Sequence, residues 1–248
     1  GAKDYATEFI RLGDGLDDVR YVAGGNATDG PFIFSSATVS NNSFRNCKGR
    51  SVKIQNDETT VIGNVFARSI LPINGGFSEV NLQTSSGEVS SNKFHYDEAP
   101  SSASPFDDGG AATAGSSAIS FYSGVVDTRI AMISVTNNLI YNNVGGSTGV
   151  LSAVVDVTAA GTKNEHRVVT INGNQFVGKA DSFIKASPAA HAGNSYISAS
   201  DNFVEELATS FIHINGSGDN SKNFVTLTGN IHTGTAVPAS WYTTGGTI

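Results

Sequence analysis

The chain has 248 residues, 15 Lys and Arg against 22 Asp and Glu, a formal charge of −7 and only 15% charged residues. With no Lys/Arg stripe, that balance excludes a nucleic-acid backbone as partner. The lack of any run of about 18 apolar residues leaves no helix to insert into a membrane, and the single Cys47 excludes an internal disulfide framework.

Residues 1–35 are expected to form a lead-in or capping segment. Within it, Phe9, Ile10 and Leu12 precede Gly13-Asp14-Gly15. They suit either an amphipathic helix over Ala6–Leu12, covering the open end of a core, or a short strand.

From residue 36 onward one local template returns: apolar, any, any, Asn, any, apolar, with a small or polar residue before the Asn. It occurs at Asn42, Asn64, Asn92, Asn138, Asn174, Asn202 and Asn230, in steps of 22, 28, 46, 36, 28 and 28 residues. β-branched residues alternate before each Asn, as in Thr59-Thr60-Val61 and Val168-Val169-Thr170-Ile171, and read as strands. The Asn is expected at a tight corner, where it tolerates left-handed backbone. Two residues on, Phe44, Phe66, Phe94, Ile140 and Phe176 are expected to point inward as a stack. A second apolar strand follows: Val52-Lys53-Ile54, Val80-Asn81-Leu82, Ile119-Ser120-Phe121, Phe183-Ile184-Lys185 and Phe211-Ile212-His213-Ile214. Three short strands per repeat and one residue at the same corner seven times predict an all-β fold, a right-handed parallel β-helix of about seven to eight coils over 36–248. A β-sandwich would have no use for the repeated corner residue.

The 46-residue step requires an extra degenerate coil or an insertion. The segment at about 95–117 has no strand pattern and is taken as a long loop, the usual location of function in a compact domain. It carries Asp97, Glu98, Asp107 and Asp108. With Glu79, expected by parity on the outward face of the second strand, these are the acid/base candidates, because paired carboxylates can run glycoside hydrolysis. The outward positions of the second strand supply sugar-binding candidates: Lys53, Asn81, Tyr122, Lys185 and His213, with Lys53, Lys185 and His213 each eleven residues past a corner Asn. A solvated loop and sheet face are the plain alternative for both sets. Other coil-edge groups are Asp57-Glu58, Asp127 with Arg129, and Glu165-His166-Arg167; Trp241 suits burial against the last coil. No EF-hand spacing is present, and no metal or cofactor is expected.

The corners Gly63-Asn64-Val65-Phe66 and Gly173-Asn174-Gln175-Phe176 resemble the pectin-lyase-like β-helix superfamily. The Asn-, Ser- and Gly-rich composition resembles the central domain of bacteriophage tailspikes. That resemblance covers nearly the whole chain but rests on fold motifs, and no catalytic signature carries over. It implies a homotrimer in a longer parent protein, located in the virion tail, that binds bacterial capsule or O-antigen and depolymerises it. Glycoside hydrolysis is preferred. A lyase of the same fold, or a non-catalytic adhesin or stalk at a bacterial surface, is the alternative. The ends, Gly1-Ala2-Lys3 and Gly245-Gly246-Thr247-Ile248, read as those of an excised piece.

Overall fold

The computed structural model describes residues 10–12, 36–45, 50–54, 58–68, 78–82, 86–97, 117–123, 130–143, 150–159, 166–187, 195–214, 223–233 and 240–244. These residues form strands and turns and no helix. The first strand is β1 (Ile10–Leu12), so this part of the capping segment is strand and not helix. The other strands come in threes along the chain: β2 (Ser36–Ser40), β3 (Ser43–Arg45) and β4 (Val52–Ile54), then β5 (Glu58–Ile62), β6 (Val65–Arg68) and β7 (Ser78–Leu82). Next are β8 (Ser86–Ser90), β9 (Lys93–Tyr96) and β10 (Ser117–Ser123), then β11 (Ile130–Thr136), β12 (Leu139–Asn142) and β13 (Leu151–Ala159). They continue with β14 (His166–Asn172), β15 (Gln175–Gly178) and β16 (Ala180–Ser187), then β17 (Ser195–Ser200), β18 (Phe203–Glu205) and β19 (Leu207–Ile214). The last three are β20 (Asn223–Thr228), β21 (Ile231–Thr233) and β22 (Ser240–Thr244).

Every third strand pairs in parallel with the next of its kind. Sheet A runs β1-β4-β7-β10-β13-β16-β19-β22, sheet B runs β2-β5-β8-β11-β14-β17-β20, and sheet C runs β3-β6-β9-β12-β15-β18-β21. Three parallel sheets wound by one chain make a parallel β-solenoid, in which each repeat buries its apolar side only against its neighbours. The inward columns are apolar. In sheet C, Phe44, Phe66, Phe94, Ile140, Phe176 and Val204 lie in register and are buried. The rings of Phe44 and Phe66 stack at 5.0 Å, and those of Phe66 and Phe94 at 4.8 Å. The expected aromatic stack is present.

The corner between sheets B and C explains the repeated Asn. Asn138 is typical: its backbone N–H and its Nδ2 both donate to Asn174 Oδ1 at 3.0 Å. Its second Nδ2 proton goes to the Val89 carbonyl at 2.8 Å. Its own Oδ1 accepts the backbone N–H and the Nδ2 of Asn92, both at 3.0 Å. The same links run from Asn42 to Asn230. Only an amide of this length offers two donors and an oxygen for two acceptances in so small a space. Asn92 bonds directly to Asn138, so the long step is an insertion within one coil, not an extra coil; residues 98–116 lie outside the described residues.

One expectation is corrected. The ladder Asn is not the left-handed residue; the residue before it is. Asn41, Gly63, Ser91, Asn137, Gly173, Asp201 and Gly229 all have φ between 54° and 69°. Turning the chain between two sheets requires one positive φ, and Gly, Asn and Asp accept it at least cost. The Gly positions have a further reason. A Cβ on Gly173 would meet Asn137 Oδ1 at 2.5 Å, and one on Gly63 would meet Asn41 Oδ1 at 2.6 Å. The carboxamide of one coil leans over the glycine of the next.

Candidate functional site

The outer face of sheet A carries the sequence-selected polar groups, and the register places them in one column. Lys53 pairs with Asn81, Asn81 with Ser120, Ser120 with Asp156, Asp156 with Lys185, and Lys185 with His213. Asn81 Nδ2 donates to Ser120 Oγ at 2.6 Å, which fixes part of the column. Tyr122 pairs with Thr158 in the backbone register; its side chain lies outside the described residues. Asp156 was not singled out from the sequence. It falls 18 residues after its corner Asn, where the other charged members of the column fall 11 after theirs, because the connection before β13 is longer.

Glu79 does not lie on this face. Its side chain is fully buried, bonded by the guanidinium of Arg68 at Nε and, at 2.9 Å, through Nη2; it also accepts from Ser51 Oγ. Ser78, Glu79 and Val80 are buried in succession. Strict alternation therefore fails, and the position expected to face outward turns in. The same column continues as Ala118, Val154, Phe183 and Phe211, all buried. Such a charge is tolerable inside only with its partner. Tyr96 is also fully buried beside this pair, and its hydroxyl has no hydrogen-bond partner. Burial pushes its phenol well above the ordinary value, the Glu79 charge adds to that, and Arg68 opposes it.

Asp97 is exposed and lies 3.2 Å from His95 Nε2, with the Tyr141 ring edge-on to His95 at 5.1 Å. An exposed pair of this kind has little energetic weight. Glu98, Asp107, Asp108, Asp127, Arg129 and Glu165 lie outside the described residues.

Near the other end of sheet A, Asp181 joins Lys185 and His213. Burial holds the Asp181 carboxyl above its ordinary range, with the charges of Lys185 and His213 opposing. The folded state thus binds this proton more tightly than the unfolded chain. Stability from this group falls as pH rises from the unfolded value through the raised folded one, and stays lost at neutral pH. Asp181→Asn should raise Tm slightly at pH 7, with the gain gone near about pH 3. A lower Tm at pH 7 would mean that attraction to Lys185 outweighs desolvation.

A concavity lies on sheet B. A groove of about 290 Å³ crosses the outer face of β5, β8, β11 and β14. Glu58 and Glu88 both line it, with Thr60, Ser134, Met132 and Val168. Glu58 stands opposite Ser86, and Thr60 opposite Glu88. The two glutamates are therefore diagonal neighbours on one face. A strand spacing of about 4.8 Å and a two-residue advance of about 6.6 Å put their Cα atoms about 8 Å apart. Thr59, Gly87 and Ile133 form the inward row beneath this face, where Thr59 is 3% exposed and its Oγ1 has no hydrogen-bond partner. Glu58 was read from the sequence only as part of a coil-edge loop, and Glu88 was not noticed. The available signal was their equal parity before successive corner Asn residues: Glu58 lies six before Asn64 and Glu88 four before Asn92.

Among the described residues, no group of three or more His, Cys, Asp or Glu is placed to hold a metal ion, and no helix is long and apolar enough to cross a membrane. Comparison of the chain with protein-family profiles, with curated proteins and with solved structures found no match.

Proposed function

We propose that this chain binds and hydrolyses a bacterial surface polysaccharide, as its resemblance to tailspike central domains implies, and that Glu58 and Glu88 are its acid and base. In this reading it is a right-handed helix of about seven to eight coils, the handedness that parallel crossovers adopt. It belongs to a homotrimeric phage tailspike-type parent. The single observation that carries the hydrolytic reading is the pair of glutamates on adjacent strands lining one groove. Their Cα separation of about 8 Å lets the carboxyl groups span the roughly 6.5–9.5 Å of inverting glycosidases, which leaves room for a water. One glutamic acid gives its proton to the glycosidic oxygen as the bond to the anomeric carbon breaks. The other, as carboxylate, takes a proton from the water that attacks that carbon from the opposite side. Met132, Val168 and the hydroxyl groups of the groove hold the sugar ring.

The competing reading is a binding module without catalysis. The in-register polar column of sheet A favours it, since Lys53, Lys185 and His213 suit sugar recognition and need no reaction, while Asn81 is buried and bonded to Ser120. Incubation with capsule and O-antigen from a panel of bacterial strains, followed by chromatography, separates the two. Shorter oligosaccharides whose first-formed ends have inverted anomeric configuration are expected. Polymer that is bound but intact means an adhesin; unsaturated, ultraviolet-absorbing ends mean a lyase.

A further inference from the structure

The groove ends at β14. Beyond it, the outer face of sheet B continues as three columns running along the solenoid. The first is apolar: Met132, Val168, Tyr196 and Phe224 are 60%, 39%, 43% and 47% exposed. They stand in register on β11, β14, β17 and β20. The Tyr196 and Phe224 rings stack at 4.9 Å with 7° between their planes. Their faces are turned to one another, so they form a ridge and not an open platform.

The second column, two residues further along each strand, is hydroxyl throughout: Ser134, Thr170, Ser198 and Thr226. The third is Thr136, Asn172, Ser200 and Thr228, again in register. No charged side chain occupies any of these outward positions. The same columns on the earlier strands carry Glu58 and Glu88, so within these columns charge sits only at the groove end.

We infer that this face is a binding track for an uncharged polysaccharide, its chain lying along the solenoid axis from the Glu58–Glu88 groove toward β20. The inference rests on the hydrolytic reading for its direction and adds the substrate class. An apolar ridge beside hydroxyl and amide columns matches a pyranose, which has C–H faces and a rim of hydroxyls. The strand spacing of about 4.8 Å repeats these contacts at close to the length of one sugar unit. A polyuronate would place a carboxylate on every repeat with no cation in these columns to meet it. A second protein copy would be expected to leave its mark as a wider apolar patch, whereas here two of three columns are polar.

The test uses the full 248-residue chain carrying Glu58→Gln and Glu88→Gln, so that bound polymer is not consumed. An array of neutral and uronate-containing glycans measures binding at low and at molar salt. The track predicts binding to neutral glycans that salt does not weaken, since no ion pair is involved. Ser198→Glu, or Tyr196→Ala with Phe224→Ala, should weaken it by roughly tenfold or more. Binding confined to uronates, no binding to any neutral glycan, or unchanged affinity in both variants overturns the inference. Loss of a dimer or trimer in light scattering on Ser198→Glu, with glycan affinity intact, overturns it in favour of a second copy. Failure of the hydrolytic reading is separate: a wild-type chain that binds neutral glycan without cleaving it removes the reaction and leaves the track. Cleavage whose KM is unmoved by Ser198→Glu removes the track and leaves the reaction.

Discussion

Changing Glu58 or Glu88 to Gln is expected to lower turnover of the susceptible polysaccharide by about 10²–10⁴, the usual contribution of a positioned general acid or base. Each change removes a proton donor or acceptor and keeps the size of the side chain. Both residues lie on the outer face of sheet B, Glu58 exposed and Glu88 half-buried, and neither supports the core. Tm should therefore move little, and polymer binding should persist. The acid and the base should differ on a substrate with a good leaving group, because such a group leaves without protonation. Activity on it returns when the acid is changed but not when the base is. Asp97→Asn is the control. Among the described residues its carboxylate meets only His95 at the surface beside sheet C, away from the groove, so activity should be retained. Full activity in both glutamine variants would move the site to residues 98–116, the carboxylates first suspected, or to the Asp156 and Asp181 face of sheet A.

Asn138→Ala should cost about 3–5 kcal/mol, from roughly 1–3 kcal/mol for each buried group left without a partner. Three groups are orphaned: the Asn92 backbone N–H, one Asn92 Nδ2 proton and the Val89 carbonyl. The site is 1% exposed, so water does not replace them. For a chain of this length the loss corresponds to a Tm lower by roughly 10 °C. Asn138→Asp keeps the acceptor but sets an oxygen against Val89 O and Asn174 Oδ1 in place of two donors. At neutral pH it should be at least as damaging as alanine, and it should recover in part in acid, where a protonated carboxyl again donates one bond. Because burial raises that carboxyl's folded value, the recovery appears as pH falls through it. Thermal denaturation of both variants at two pH values measures this. An Asn138→Ala variant that melts within a degree or two of the parent would mean that the ladder follows the fold and does not stabilise it.

The sequence determined most of the fold because a solenoid writes its contacts at short range. The corner Asn, its left-handed predecessor and the Phe two residues on are local, and each repeats against its own copy one coil away. A periodic pattern therefore locates the corner, the inward column and the long insertion without knowledge of distant contacts. The outward column of sheet A was legible for the same reason wherever the connections had equal length, as with Lys53, Lys185 and His213.

Tertiary structure alone decided what depends on spacing across coils of unequal length or on a break in alternation. Asp156 entered its column only when register was known, because β13 starts later than a fixed count predicts. Glu79 was assigned to the surface by parity and lies inside, where consecutive residues of β7 are buried and Arg68 neutralises the charge. Glu58 and Glu88 are 30 residues apart in the chain. Nothing local relates them; the pairing of β5 with β8 does, and with it the groove that makes two ordinary surface glutamates a candidate acid and base.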